Sequence, residues 1–217
     1  MVTTMKHFST LTFFVVAAMA PVLQAQSWEV GAGAGGSFFN SQSVQNAGVN
    51  GNTGFANAFA LSAWLGHTPG RMLGGEFRYD FENAGLKLSS GGSSASFAGH
   101  TNAVHYDFLV HLTSSEANVR PFVAAGAGVK LFTGTGAQTD VQPLQNLAFL
   151  TKTSQLEPVI SIGGGVKFHF SRSAQLRIDI HDYISPFPKN VIAPNAGSKI
   201  SGWVQDFAVM AGLSFSL

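Results

Sequence analysis

Strict two-residue alternation of apolar and small or polar side chains recurs along this chain, and it limits the fold more than any other feature. The segment "DFAVMAGLSFSL" places Phe207, Val209, Ala211, Leu213, Phe215 and Leu217 on one side. Ala208, Met210, Gly212, Ser214 and Ser216 fall on the other. Successive side chains of a β-strand point to opposite faces, so this is a strand with one oily face and one small, polar face.

Seven further segments repeat the pattern. "WEVGAGAGGSFF" (28–39) groups Trp28, Val30, Ala32, Ala34 and Phe38. "FANAFALSAWLG" (55–66) groups Phe55, Phe59, Leu61, Ala63 and Leu65. "MLGGEFRYDF" (72–81) sets Leu73, Phe77, Tyr79 and Phe81 against Glu76, Arg78 and Asp80. "NAVHYDFLVHL" (102–112) sets Val104, Tyr106, Phe108, Val110 and Leu112 against His105, Asp107 and His111. "RPFVAAGAGVKLF" (120–132) sets Val123, Val129 and Leu131 against Lys130 and two glycines. "VISIGGGVKFHF" (159–170) and "QLRIDIHDY" (175–183) set Ile160, Ile162, Val166, Phe168, Phe170, Leu176, Ile178 and Ile180 against Lys167, His169, Arg177, Asp179 and His181. With the terminal segment, starting near Trp203, this makes eight strands of about the 9–11 residues that cross a bilayer at a tilt.

The connections alternate in length. Those at 40–54, 82–101, 133–157 and 184–202 are long and rich in Gly, Ser, Asn and Thr; those at 67–71, 113–119 and 172–174 are short. Long external loops and short periplasmic turns are the wiring of an outer-membrane barrel. In hydrocarbon every backbone N–H and C=O needs a partner inside the protein, so a spanning sheet has to close on itself. The oily sets named above contain no charge, and the charges set against them lie on the alternate positions that point into the lumen. The expected fold is therefore all-β: an eight-stranded antiparallel up-and-down transmembrane β-barrel.

The first 26 residues support an exported protein. Lys6 precedes an apolar run from Leu11 to Ala20, Pro21 ends it, and small or polar residues follow. This is the layout of a cleaved signal peptide, expected to span 1–25 and to leave the barrel at 26–217. The run is too short for a spanning helix, which needs about 20 residues. Removing Lys6 leaves 11 basic against 11 acidic residues, which argues against a nucleic-acid partner. There is no cysteine for a disulfide framework, a thiolate metal site or a lipoprotein anchor. Only 11% of residues are charged, well under the usual quarter, which in an exported chain implies either a large buried core or an apolar solvent.

The pieces "GGEFRYDF", "RPFVAAGAGVKLF", "LRIDIHDYIS" and "AGLSFSL" together resemble the eight-stranded outer-membrane β-barrel family, in the broad group of the outer-membrane protein A barrel and the opacity-type, porin-like proteins. The resemblance covers the whole of 26–217. It implies a Gram-negative outer-membrane location reached through the periplasm. It also implies insertion by the barrel-assembly machinery, which in such proteins reads a terminal strand usually ending in Phe or Trp. Here Phe207, Val209, Leu213, Phe215 and Leu217 form that signal, with Leu217 in the final place. No peptidoglycan-binding module is expected after the barrel.

Candidate sites are weighed against packing. Glu76, Arg78, Asp80, His105, Asp107, Lys130, Lys167, Arg177, Asp179, His181 and Asp206, together with Glu29, are read as a lumen charge network. An eight-stranded barrel has room inside for side chains and little else, so a structural role is favoured over an ion path. His105, Asp107 and His111 share a face, but no third ligand is compelled, and no metal is expected. His169, Ser171 and Asp179 loosely resemble the His-x-Ser and later acid of the lipid A deacylase barrels. They sit beside a periplasmic turn without the rest of that pattern, so no enzyme and no cofactor is expected.

Trp64 is expected to fill the lumen opposite Gly74, with Leu65 opposite Leu73. Trp28, Phe168, Phe170 and Phe215 read as a periplasmic aromatic girdle, and Tyr79, Phe81, Trp203 and Phe207 as an outer one. A three-residue turn at 172–174 pairs Phe170 with Leu176, His169 with Arg177, and Lys167 with Asp179 as a buried ion pair. The expected function is a structural or surface-interaction role through long external loops, in a monomer surrounded by lipid and lipopolysaccharide, with an extracellular partner left unidentified. The alternatives are a small ion or solute channel and a soluble secreted barrel that binds a ligand inside.

Overall fold

The computed structural model describes residues 27–217 except Arg172. The signal peptide expected at 1–25, and the first residue of the expected 172–174 turn, lie outside the described residues. In chain order the strands are β1 (Ser27–Phe39), β2 (Ser41–Asn46), β3 (Val49–Phe55), β4 (Ala58–Thr68), β5 (Leu73–Glu82), β6 (Leu86–Ser90), β7 (Ser93–Phe97) and β8 (Gly99–His111). They continue as β9 (Val119–Gly134), β10 (Ala148–Leu150), β11 (Ser154–His169), β12 (Ala174–Pro186), β13 (Ile192–Pro194), β14 (Lys199–Ser201) and β15 (Trp203–Ser216).

Eight of these close into an antiparallel barrel in the order β1-β15-β12-β11-β9-β8-β5-β4, the last pairing back with β1. The alternation decides which way each side chain points. Val30, Leu65, Phe77, Phe108, Val123, Ile162, Ile178 and Leu213 are exposed on the outer wall. On the same strands Glu29, Trp64, Glu76, Asp107, Lys167 and Arg177 are buried. Among the described residues of the wall, the one acid with outward parity is Asp182, at the external rim opposite Phe207. A belt of exposed Val, Ile, Leu and Phe around a closed sheet fits a lipid solvent and does not fit a soluble barrel. Unboiled protein is therefore expected to run faster than boiled protein on a detergent gel. Equal mobility, with the protein in the soluble periplasmic fraction, would contradict the spanning barrel.

The long connections are not irregular loops. β14-β2-β3-β6-β7 form a five-stranded sheet, and β10 pairs with β13. Two of its hairpins turn on Ala47-Gly48 and Gly91-Gly92, each with positive φ at both central residues, as the two-residue type I′ turn requires. Between these strands and the barrel mouth lies a core that includes Val44, Phe55, Leu86, Leu88, Phe132, Leu147, Leu150, Phe187 and Ile192. The external end of the barrel thus carries a folded cap.

One expected wall residue moves as a result. Phe55 does not face lipid: it is fully buried, its ring 5.5 Å from that of Phe39 and 5.0 Å from that of Phe132. The chain leaves strand geometry between β3 and β4, at Ala56 and Asn57, and the parity of the wall is lost there. Above the lipid a large ring gains nothing from facing outward, so it joins the cap core.

Two hairpin registers also differ from expectation. Trp64 lies opposite Arg78 and Leu65 opposite Phe77, because the β4–β5 ladder ends at His67 opposite Gly75 and the turn is wider than 67–71. Lys167 lies opposite Arg177, Phe168 opposite Leu176 and His169 opposite Gln175, a shift of two residues. The cause is local. The Ser171 hydroxyl accepts the N–H groups of Ser173 (3.3 Å) and Ala174 (3.0 Å), which makes Ser171 part of the turn and ends pairing one residue earlier. Both shifts are even, so no side chain changes face.

Candidate functional site

Among the described residues the buried charges gather in the lumen, which fills in layers from the periplasmic end. Lys167 Nζ lies 2.5 Å from Glu29 Oε2, and Trp64 Nε1 donates to Glu29 Oε1 at 3.2 Å. Lys167 therefore pairs with Glu29, across the barrel, and not with Asp179. Above it, Arg177 grips Glu76 with both terminal nitrogens, one bond measuring 3.0 Å, and its Nε reaches Asp179 Oδ2 at 2.5 Å. The Arg177 guanidinium sits 4.7 Å from the ring centroids of both Trp64 and Phe122, so its planar faces are covered as well as its edges.

The middle layer turns on Arg78. Its Nε donates to Asp80 Oδ1 at 3.0 Å, and Nη2 and Nη1 reach Asp179 at 3.2 and 3.3 Å. Nη1 also lies 3.2 Å from His181 Nε2. Next, His105 bridges two carboxylates, with Nδ1 3.0 Å from Asp107 and Nε2 3.1 Å from Asp80. Tyr183 donates its hydroxyl to Asp80 at 3.0 Å. At the external end Lys130 Nζ is shared by Asp206 (2.6 Å) and Glu82 (2.7 Å), with Ser37 bonded to both carboxylates and Thr101 to Glu82. Lys130 also faces the rings of Phe39 and Tyr183, where the cap core begins.

Small residues make the room. Gly126 and Gly128 of β9 lie opposite Asp107 and His105, and Gly163 and Gly165 of β11 opposite His181 and Asp179. A Cβ on Gly128 would come within 2.5 Å of the His105 Cβ, and one on Gly165 within 2.6 Å of the Asp179 Cβ. The Trp64 ring likewise occupies the space beside Gly31, its partner on β1, while on β5 its partner is Arg78 in place of the expected Gly74.

All of the candidate lumen residues are buried inside the barrel, and ion pairs or hydrogen bonds join them into these layers. Further members of the same network lie outside the sequence candidates, among them Glu82, Ser37, Thr101, Tyr183 and Ser161. Each continues the inward parity of its own strand, so extending the alternation past Asp80 and His181 would have found Glu82 and Tyr183.

The remaining candidate constellations are not assembled. His111 rests against the Met72 carbonyl at 3.3 Å, away from the His105–Asp107 pair. His169 pairs with Gln175, whereas Asp179 lies opposite Gly165 and is held by two arginines. Ser161, His181 and Asp107 do come together, with Ser161 Oγ 3.1 Å from His181 Nδ1 and 3.3 Å from Asp107 Oδ2. Nucleophilic catalysis needs the hydroxyl on one ring nitrogen and the carboxylate on the other. Here Ser161 and Asp107 both approach Nδ1, Nε2 abuts Arg78 at 3.2 Å with the Asp179 carboxylate at 3.8 Å, beyond hydrogen-bond reach, and Ser161, His181 and Asp107 are all sealed from solvent.

Comparison with known proteins gives one family and a set of folds. The sequence profile described as "Outer membrane protein beta-barrel domain" matches residues 9–215. No curated protein sequence matches the chain. Among solved structures, Neisserial surface protein A aligns over 87% of this chain and 96% of its own, at 12% identity and a TM-score of 0.54. The outer membrane protein OprG from Pseudomonas aeruginosa aligns over 88% and 97%, at 10% identity and 0.51. The outer membrane protease OmpT from Escherichia coli aligns over 89% and 98%, at 10% identity and 0.50. At these identities the likeness is one of fold, and the fold carries a protease as well as proteins described as a surface protein and an outer membrane protein, so it leaves the role open.

Proposed function

The chain belongs to the outer-membrane protein β-barrel family, and from that premise we propose that its barrel is a closed membrane anchor presenting the cap as a contact surface outside the cell. The observation that carries this reading is the division of labour between the two halves. The lumen is occupied from Glu29 to Asp206 by side chains bonded to one another, while the four long connections build a cap with its own core. A solute path would need water through that column, and the guanidinium groups of Arg78 and Arg177 stand across its middle. In this reading the chain is exported through the periplasm, inserted by the barrel-assembly machinery, and works as a monomer in lipid and lipopolysaccharide. It binds and does not catalyse.

Two measurements test it together. Protein reconstituted in planar bilayers and liposomes is expected to give neither stepwise conductance nor swelling in a small sugar; either signal would make it a channel. Cells displaying the intact chain are expected to gain attachment to a surface or partner, and to lose it when 41–54 is replaced by a two-residue turn. Attachment that survives the replacement would refute the contact role of the cap.

A further inference from the structure

We propose that the outer face of the cap sheet is a binding site for neutral, hydroxyl-rich glycan chains. The proposal rests on the surface reading above and names its ligand chemistry. One face of the five-stranded sheet, carrying Val44, Leu86, Leu88 and Ile200, is buried on the cap core. On the opposite face the pairing aligns Ser201, Ser43, Asn52, Ser89 and Ser94 in a single row across all five strands. Neighbouring strands lie about 4.8 Å apart, so the row presents a hydroxyl or amide at that interval over about 19 Å.

A groove of about 420 Å³ runs along this face, and every residue lining it is Ser, Asn, Gln or Gly. Ser90 donates its hydroxyl to the Asn50 carbonyl at 2.6 Å, but the side chains of Ser43, Gln45, Asn52, Ser89 and Ser94 are exposed and make no hydrogen bond to the described residues. Amides elsewhere in the cap are committed. Gln42 donates to the Trp203 carbonyl at 2.7 Å, Asn46 to the Asn146 carbonyl at 2.7 Å, and Gln142 bonds both backbone groups of Leu150. The cap thus holds itself together with one set of amides and offers a second set outward.

The lining selects among ligands. It contains no cation to pair with sulfate or phosphate; the lysines of this face, Lys87 and Lys199, flank the groove opposite Ser96 and Gln45. It contains no apolar pocket for the side chains of a peptide. What it matches is a ligand that is uncharged and dense in donors and acceptors along its length. Ser and Asn side chains are short and lose little rotamer freedom on binding. Each hydrogen bond replaces one to water, so binding is weak per sugar and strengthens with chain length.

The test uses the full chain in lipid nanodiscs on an array of neutral, sulfated and sialylated oligosaccharides, with dextran and dextran sulfate as soluble competitors. Neutral oligosaccharides are expected to be retained, more tightly as they lengthen toward the span of the row, and dextran to compete. The triple variant Ser43→Ala, Asn52→Ala, Ser89→Ala is expected to weaken retention by at least about tenfold while keeping the heat-dependent gel shift of the folded barrel. The pair Lys87→Ala, Lys199→Ala is expected to leave retention unchanged. Retention of sulfated members alone, lost with the lysine pair, would overturn the inference in favour of an anionic ligand. An array without neutral binders, beside cell attachment that still depends on 41–54, would overturn it and leave the surface role standing.

Discussion

Arg78→Met is expected to lower the unfolding free energy of the barrel by about 3–5 kcal/mol, read from urea or guanidinium midpoints in lipid vesicles. Arg78 is fully buried and links Asp80, Asp179 and, at 3.8 Å, Glu76. Without it Asp80 keeps His105 and Tyr183, and Asp179 keeps Arg177, but the cavity acquires an uncompensated negative charge in a site closed to water. Breaking a buried pair costs more than the pair contributes, because the surviving carboxylate stays desolvated. Arg78→Lys keeps the charge and loses the fork that serves two carboxylates at once, so an intermediate loss is expected. Adding Asp179→Asn to Arg78→Met should return part of the stability. A single mutant within about 1 kcal/mol of the parent would mean that the lumen is wet and its charges screened, as surface pairs are.

The same layer shows what could and could not be read from sequence. Which residues enter the lumen depends only on parity within a strand, and Glu76, Arg78 and Asp80 were placed by alternation alone. Which of them touch depends on register, and register is set in the turns. One hydroxyl, that of Ser171, moves Lys167 from Asp179 to Arg177, and Lys167 then finds Glu29 across the barrel. Contacts across a lumen also depend on barrel stagger, to which no single hairpin gives access. A Lys167–Asp179 pair follows from one ladder, whereas of the ion pairs in this lumen that join two strands, all but His105–Asp80 join strands that are not neighbours.

The cap is illegible in the sequence for a different reason. Its connections are rich in Gly, Ser and Asn, which suggests loops, but period two continues inside them in Leu86 and Leu88, and Val44 sits alone among polar residues. Each apolar set is too small to announce a strand, and a hairpin this short is marginal on its own. Burial is achieved only when β10, β13 and β14, of three residues each, bring Leu150, Ile192 and Ile200 to one core from distant parts of the chain. The turns at Ala47-Gly48 and Gly91-Gly92 show in the structure as positive φ at both residues, but Gly in a Gly- and Ser-rich stretch fits a loop as well as a hairpin.

Deleting Phe215–Leu217 is expected to abolish outer-membrane insertion. In the closed barrel Phe215 lies between Val30 of β1 and Ala174 of β12, and Ser216 pairs with Glu29. The Ser216 N–H donates to the Ser173 carbonyl and the Leu217 N–H to the Trp28 carbonyl, both at 2.9 Å. The deletion removes the last rungs on both sides of the closing strand and two side chains from the lipid face, where Phe215 and Leu217 are 51% and 64% exposed. The rungs alone are worth about 0.5–1.5 kcal/mol each, a loss that a barrel can survive once it has formed. If that were the whole effect, the truncated chain would reach the membrane in cells at the level its refolding into lipid vesicles predicts. If the terminal strand is also the assembly signal, the loss in cells should far exceed the loss in vitro. Leu217→Phe, which supplies the terminal aromatic usual in such strands, should insert at least as well as the parent. Equal deficits in cells and in vesicles would reduce these residues to rungs of the seam, and normal membrane levels of the truncated chain would remove both roles.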